Sequence, residues 1–163
     1  MALTDSIAPR LLQGRLAFVT GAGQGNGRML ALGLAHAGAR VIATDMNAAT
    51  VEETVRLVKQ AGGDAFSFTL DVTAPEACHA LAAQVRQQIG CVDLLVNNAG
   101  IIIREGMLSP NAATNWRKTL DVNLNGAFNV THALLPAMKE SKGTIINIAS
   151  IAAYAGQGAS LGY

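Results

Sequence analysis

Four glycines stand at alternate positions in Gly21-Ala22-Gly23-Gln24-Gly25-Asn26-Gly27, directly after the apolar run Leu16–Thr20 and before a stretch of helical character, Arg28 to Ala37. Strand, glycine turn and helix in that order aim free backbone N–H groups and a positive helix end at a phosphate. Glycines are expected there because a Cβ would hold a pyrophosphate away from the backbone. The spacing separates the candidates. A P-loop needs GxxxxGK followed by Ser or Thr, and the chain has no Gly-Lys pair. GxGxxG fails in every register; starting from Gly21 and Gly23 it would need glycine where Asn26 stands. What fits is Thr-Gly-x-x-x-Gly-x-Gly over Thr20, Gly21, Gly25 and Gly27. A second apolar run closes on Ala43-Thr44-Asp45, with Asp45 24 residues after Gly21. A carboxylate there can accept hydrogen bonds from the ribose hydroxyls of an adenosine and would repel a 2′-phosphate, which points to NAD rather than NADP. A ligand-free tight turn and a solvated loop aspartate are the plainer readings of the two features taken singly; together they favour dinucleotide binding.

These residues need a scaffold, and the sequence supplies one. Leu16–Thr20, Arg40–Thr44, Ala65–Leu70, Val92–Val96 and Thr144–Ala149 are short runs too apolar to alternate, which predicts strands of a parallel sheet covered on both faces. Between them lie helical stretches. Val51, Val55 and Val58 recur on one helical face, and Gly62-Gly63 stops that stretch; Leu81, Val85 and Ile89 do the same between Pro75 and Gly90. A longer helix is expected from about Ala112 towards Lys139 through Trp116, Leu120, Leu124 and Phe128, with Pro136 kinking or fraying its last turn. Alternating strands and helices predict one doubly wound α/β domain over residues 1–163.

Composition narrows the class of molecule. Half of the 163 residues are hydrophobic and only 14% are charged, so the chain is no disordered polymer and has surface to share with partner subunits. Net charge is +1 with no basic block, which argues against nucleic acid and anionic membranes as partners. No apolar run reaches the ~18 residues of a spanning helix, and Met1–Gly14 lacks the apolar segment of a secretory signal. Cys78 and Cys91 are expected as reduced thiols of a cytoplasmic protein. The three histidines are scattered without metal-ligand spacing, and no metal site is expected. Met29, Met46, Met107 and Met138 are expected as packing residues.

With these residues in place, the chain from about Leu11 to Tyr163 resembles the short-chain dehydrogenase/reductase family. Several ordered motifs carry the resemblance. Thr20–Gly27 resembles the family's cofactor turn, with Gly21, Gly25, Asn26 and Gly27 at the dinucleotide, and Asp45 its NAD-selecting acid. Asp71-Val72 resembles the pair beside the adenine, and Asn97-Asn98-Ala99-Gly100 the family's NNAG motif, part of whose role is to brace the sheet. Asn123, Ser150 and Tyr163 match the catalytic asparagine, serine and tyrosine, the last two at the family's usual separation of 13 residues. Tyr154, four residues after Ser150, is the weaker candidate for the acid.

The resemblance implies a Rossmann-type fold and reversible hydride transfer between NAD and a secondary alcohol or ketone. Tyr163 would be the general acid for reduction and base for oxidation, Ser150 would hold the substrate oxygen, and Asn123 would anchor a water in a proton relay. A free phenol titrates near 10, and the family lowers that with a lysine four residues beyond the tyrosine. The chain ends at Tyr163. The lysine, its helix, the last strands and the substrate lid are therefore expected beyond it, and without them Thr144–Ala149 would be an open edge and the long helix would lack its neighbour. A homodimer or homotetramer is expected of the complete protein. Residues Ile151–Leu161 would line the substrate pocket, and Asn98–Arg104 resembles members that oxidise sugars or sugar acids, where Arg104 could meet a carboxylate. A non-catalytic dinucleotide-binding fragment, and a fragment that folds poorly and binds nothing, are the alternatives.

Overall fold

The computed structural model describes residues 11–155 and 162–163. Strands β1 (Leu16–Thr20), β2 (Arg40–Asp45), β3 (Asp64–Thr69), β4 (Leu94–Asn97) and β5 (Thr144–Asn147) form one parallel sheet in the order β3-β2-β1-β4-β5. Helices α1 (Gly25–His36), α2 (Ala48–Gln60), α3 (Pro75–Gln88), α4 (Ala112–Leu120) and α5 (Ala127–Ser141) connect them. The chain order reverses at β1, which has β2 on one side and β4 on the other. Because every strand runs the same way, all five C-terminal ends lie along one edge of the sheet.

Strand geometry sends neighbouring side chains to opposite faces, and the two faces carry separate cores. Phe18, Ile42 and Leu95 sit across from one another and pack with Leu81 and Val85 of α3 and Val130, Leu134 and Met138 of α5. Val19, Val41, Ala43 and Val96 face the other way, against Ala31 of α1 and Val51, Val55 and Val58 of α2. The valine periodicity of α2 is thus its buried face, and Asn47 caps it by accepting from the Thr50 amide. Burial pushes the Cys78 thiol up from its ordinary value, with the Asp71 carboxylate adding to the effect, so this residue stays a neutral packing group. Both cysteines are free thiols.

Several expectations need correction. Val92 is buried but precedes β4; between them Asp93 leads into the strand, its N–H donating to the Leu16 carbonyl while its carboxylate accepts from Arg15 and the Leu16 amide. The long helix runs unbroken from Ala112 to Ser141, as expected, but it is not α-helical throughout. A π-helical turn, Asp121–Gly126, separates α4 from α5. Pro136 does not fray α5, which runs on to Ser141; Pro136 is exposed, where water can satisfy the carbonyl it leaves unbonded. Of the four methionines expected to pack, Met138 is a core residue, whereas Met29, Met46 and Met107 are exposed.

The outer strand matches expectation. β5 is exposed along its whole length, with Ile145, Ile146 and Ile148 open to solvent. Trp116, Leu124 and Phe128 are likewise exposed on α4, the π-helical turn and α5. Among the described residues, no helix is long and apolar enough to cross a membrane.

If the layer between the sheet and α3/α5 is the stabilising core, Leu95→Ala, at a side chain with no exposure, should cost about 2–5 kcal/mol in urea unfolding. A loss below about 1 kcal/mol would show that this layer is loosely packed.

Candidate cofactor site at the strand ends

The glycine turn follows β1, Asp45 ends β2, Asp71 follows β3, Asn98 follows β4 and Ser150 follows β5. The parallel sheet therefore gathers the candidates from five strands along one edge. An open doubly wound sheet binds ligands at this edge, beside the strand where the order reverses; here that strand is β1.

The turn is tied to the loop after β4. The Thr20 hydroxyl accepts from the Asn98 and Ala99 amides, both at 3.0 Å, and donates to the Val96 carbonyl. The Asn98 side-chain amide donates back to the carbonyls of Thr20 (2.9 Å) and Gly21 (3.1 Å). This close approach explains Gly21: its φ is +62°, and a Cβ would lie 2.8 Å from the Ala99 Cα. Gly27 is likewise crowded by protein, since a Cβ would lie 2.7 Å from the Gly21 carbonyl carbon. Protein packing, rather than ligand approach, requires these two glycines. Gly25 differs. Its φ is +52° and its missing Cβ would project into open space. Gly25, Asn26 and Gly27 open α1, which no side chain caps, so its first-turn amides suit an anion.

Asp45 is held in place. One carboxylate oxygen accepts from the Gly23 amide (2.9 Å) and the other from the Asn47 amide (3.0 Å). Beside it lies an open cleft of about 620 Å³, lined by Gln24, Asp45, Met46, Asn47, Ala48 and Thr50. Met46 is thus a wall of the cleft; the one available signal was its position directly after the strand-ending acid. The cleft, the open space at Gly25 and the uncapped helix end together fit an adenosine diphosphate group.

Asp71 and Val72 are placed differently from the residues at Gly21 and Asp45. The Asp71 carboxylate accepts from the amide and hydroxyl of Thr73, forming a tight local turn. Val72 is buried, and its carbonyl accepts from the Asn129 side chain at 3.0 Å. Its side chain packs onto Gly126, where a Cβ would come within 2.6 Å of it, so Val72 locates the π-helical turn.

That turn carries Asn123. Its side-chain amide pairs with the backbone of Ile101 in both directions, accepting from the amide (2.8 Å) and donating to the carbonyl (2.9 Å). Gly100 lies against it, with a built Cβ 3.4 Å from the Asn123 Oδ1. The side chain is therefore occupied in fixing the loop after Gly100. Asn97 sits one layer below, its amide donating to Thr131 and Asn147, and links β4 to α5 and β5.

The Ser150 hydroxyl accepts from the Ala152 amide and caps a 3₁₀ turn, Ile151–Ala153. Tyr163 is half-exposed, and Gly162 before it lies against Thr119 and Trp116 of α4. Residues 156–161, part of the expected pocket lining, lie outside the described residues. Among the described residues, no hydrogen bond joins Ser150 to Tyr163, and no group of three or more His, Cys, Asp or Glu could hold a metal. Sequence reasoning misses Thr20, Thr54 and Arg28 as supports; Thr20 and Arg28 flank the turn in sequence, but Thr54 meets it only through folding.

Gly21→Val should destabilise the turn, since it combines a left-handed φ with a backbone clash. A fall in the thermal midpoint with loss of cofactor binding is expected; an unchanged midpoint would show that the loop after β4 yields to the new side chain.

Comparison with known proteins fits this geometry. The family model for short chain dehydrogenase matches residues 15–163. A 2-dehydro-3-deoxy-D-gluconate 5-dehydrogenase from Bacillus subtilis is 43% identical over 146 residues, covering 89% of this chain and 56% of that protein. A 3-oxoacyl-(acyl-carrier-protein) reductase from Thermotoga maritima is 35% identical over 141 residues, covering 86% of this chain and 57% of the reductase. A crystal structure provisionally described as a short-chain dehydrogenase/reductase from Burkholderia xenovorans superposes with a TM-score of 0.88 at 39% identity, over 96% of this chain and 64% of that one. Another, provisionally described as a gluconate dehydrogenase from Agrobacterium tumefaciens, gives 0.86 at 35% identity, over 91% and 59%. The chain spans about half the length of the curated relatives it matches. By the matched family model and these likenesses, the chain belongs to the short-chain dehydrogenase/reductase family of oxidoreductases.

Proposed function

We propose that this chain is the cofactor-binding portion of a cytoplasmic NAD-dependent dehydrogenase that oxidises a secondary alcohol, or reduces the matching ketone, on a sugar acid. Nicotinamide dinucleotides are the family's cofactors, and when bound they supply or accept the hydride. One observation carries the choice of NAD: Asp45, pinned by two backbone amides, presents a fixed carboxylate to a cleft whose lining residues include no cation. Ribose hydroxyls can donate to that carboxylate, whereas a 2′-phosphate would meet uncompensated negative charge. Met46 offers the adenine an apolar contact, and the first-turn amides of Gly25, Asn26 and Gly27 hold the pyrophosphate. Asn98, Ala99 and Gly100 border the same cofactor, with Asp71 and Val72 towards the adenine.

Tyr163 donates a proton from its phenol to the substrate oxygen in reduction and takes it back in oxidation. Ser150 donates a hydrogen bond from its hydroxyl to the same oxygen. Asn123, whose side chain is occupied by Ile101, serves the relay through its main-chain carbonyl rather than its amide. The likeness to a 2-dehydro-3-deoxy-D-gluconate 5-dehydrogenase supports a sugar-acid substrate. Arg104, exposed on the loop that Asn123 fixes, is the cation suited to its carboxylate. The exposed Trp116, Leu124 and Phe128 support self-association of the complete protein as a homodimer or homotetramer.

Asp45→Ala should weaken NADH binding about 10-fold or more, the loss expected of charge-assisted hydrogen bonds, and narrow the gap between NADH and NADPH in fluorescence titrations. An unchanged preference would remove Asp45 from the ribose. In the complete protein, Tyr163→Phe should abolish turnover while leaving NAD affinity intact; near-normal activity would move the proton step to another group. If the complete protein binds NADH and turns over no 2-keto or 5-keto sugar acid, a binding role without this catalysis replaces the proposal.

A further inference from the structure

The cleft beside Asp45 has two walls that are distant in sequence. Gln24 belongs to the glycine turn, whereas Asn47, Ala48 and Thr50 belong to the start of α2. Nothing in the mechanism above uses Arg28, on the first turn of α1, yet its guanidinium lies behind both walls. One of its nitrogens donates to the Gly23 carbonyl in the turn and also to the Thr50 carbonyl at 3.3 Å, and Nε donates to the Thr54 hydroxyl at 3.0 Å. The Thr54 hydroxyl, fully buried, lies 2.8 Å from the Ala22 carbonyl and donates to it. The turn is thus stitched to α2 by a planar cation and a buried hydroxyl.

We infer that Arg28 is a positioning residue that sets the width of the adenosine-ribose cleft, an inference that rests on the dinucleotide reading above. The geometry gives the reason. Gly23 is where the two networks meet: its amide holds Asp45 and its carbonyl is held by Arg28. Moving Gly23 therefore moves the Asp45 carboxylate and the opposite wall together. A built Cβ on Gly23 would lie 2.8 Å from the Asp45 carboxyl carbon, so turn and acid are already in contact and have no slack to absorb a shift. A guanidinium serves because it is a rigid fork with several fixed donors; a lysine ammonium keeps the charge but cannot reach carbonyl, carbonyl and hydroxyl in one plane.

The test uses isothermal titration of the wild type, Arg28→Lys and Thr54→Val with ADP-ribose and with 2′-phospho-ADP-ribose, alongside their thermal midpoints. Both probes lack nicotinamide, so they read the adenosine side alone. Arg28→Lys should weaken ADP-ribose about tenfold and reduce the discrimination against the 2′-phosphate. Thr54→Val, which removes one anchor of the fork, should shift both in the same direction by less, and it carries the test if Arg28→Lys does not fold. A lower midpoint with affinity and discrimination both unchanged would overturn the inference and leave Arg28 a brace between helices. Absence of ADP-ribose binding by the wild type would overturn the dinucleotide reading itself, and the inference with it.

Discussion

The Thr20 hydroxyl and the Asn98 side-chain amide join two loops whose residues lie 78 positions apart in the chain. Each group bonds the other loop's backbone, so neither the glycine turn after β1 nor the loop after β4 can move alone. The junction sits where the strand order reverses, at the edge that doubly wound sheets use for ligands. Its effects spread in two directions. Towards β2, the turn places Gly23 against Asp45 and opens the cleft. Towards α5, the loop carries Gly100 and Ile101 to Asn123, so Asn123 is positioned by the same backbone that holds the turn. Unsatisfied backbone groups buried at such a junction would each cost about 1–3 kcal/mol, which is reason enough for side chains of this hydrogen-bonding type at both positions.

The sequence was most legible where residue type and backbone geometry are directly coupled. Apolar runs of five or six residues gave all five strands, because a sheet covered on both faces admits no alternation at β1 and β2. Val51, Val55 and Val58 gave the buried face of α2. The strand-end residues were legible because a parallel sheet must bring them to one edge. Less was legible where the cause lies in tertiary packing. The π-helical turn depends on Val72 filling the space beside Gly126, two residues from different elements. The reasons for Gly21 and Gly27 are protein contacts that spacing cannot reveal, and exposure of Met29, Met46 and Met107 contradicts a rule of composition with facts of position. Arg28 was invisible for the same reason: its three partners come together only when α1 and α2 pack.

The apolar balance of the sequence finds a physical counterpart in surfaces left open here. Ile145 and Ile146 lie on β5, at the opposite edge of the sheet from β3, and Trp116, Leu124 and Phe128 lie along α4, the π-helical turn and α5. The face of the sheet covered by α1 and α2 closes its own core around Val19, Val41 and Val96.

The proposed cofactor site requires the uncapped start of α1 and the fixed Asp45 to bind the adenosine diphosphate half of NAD together. Amide hydrogen exchange followed residue by residue, with and without NAD, tests it most directly. Binding should slow exchange at Gly25, Asn26 and Gly27 and at the backbone around Asp45 to Asn47, with little change at the far end of the sheet. Unaltered exchange at these amides under saturating NAD would contradict it.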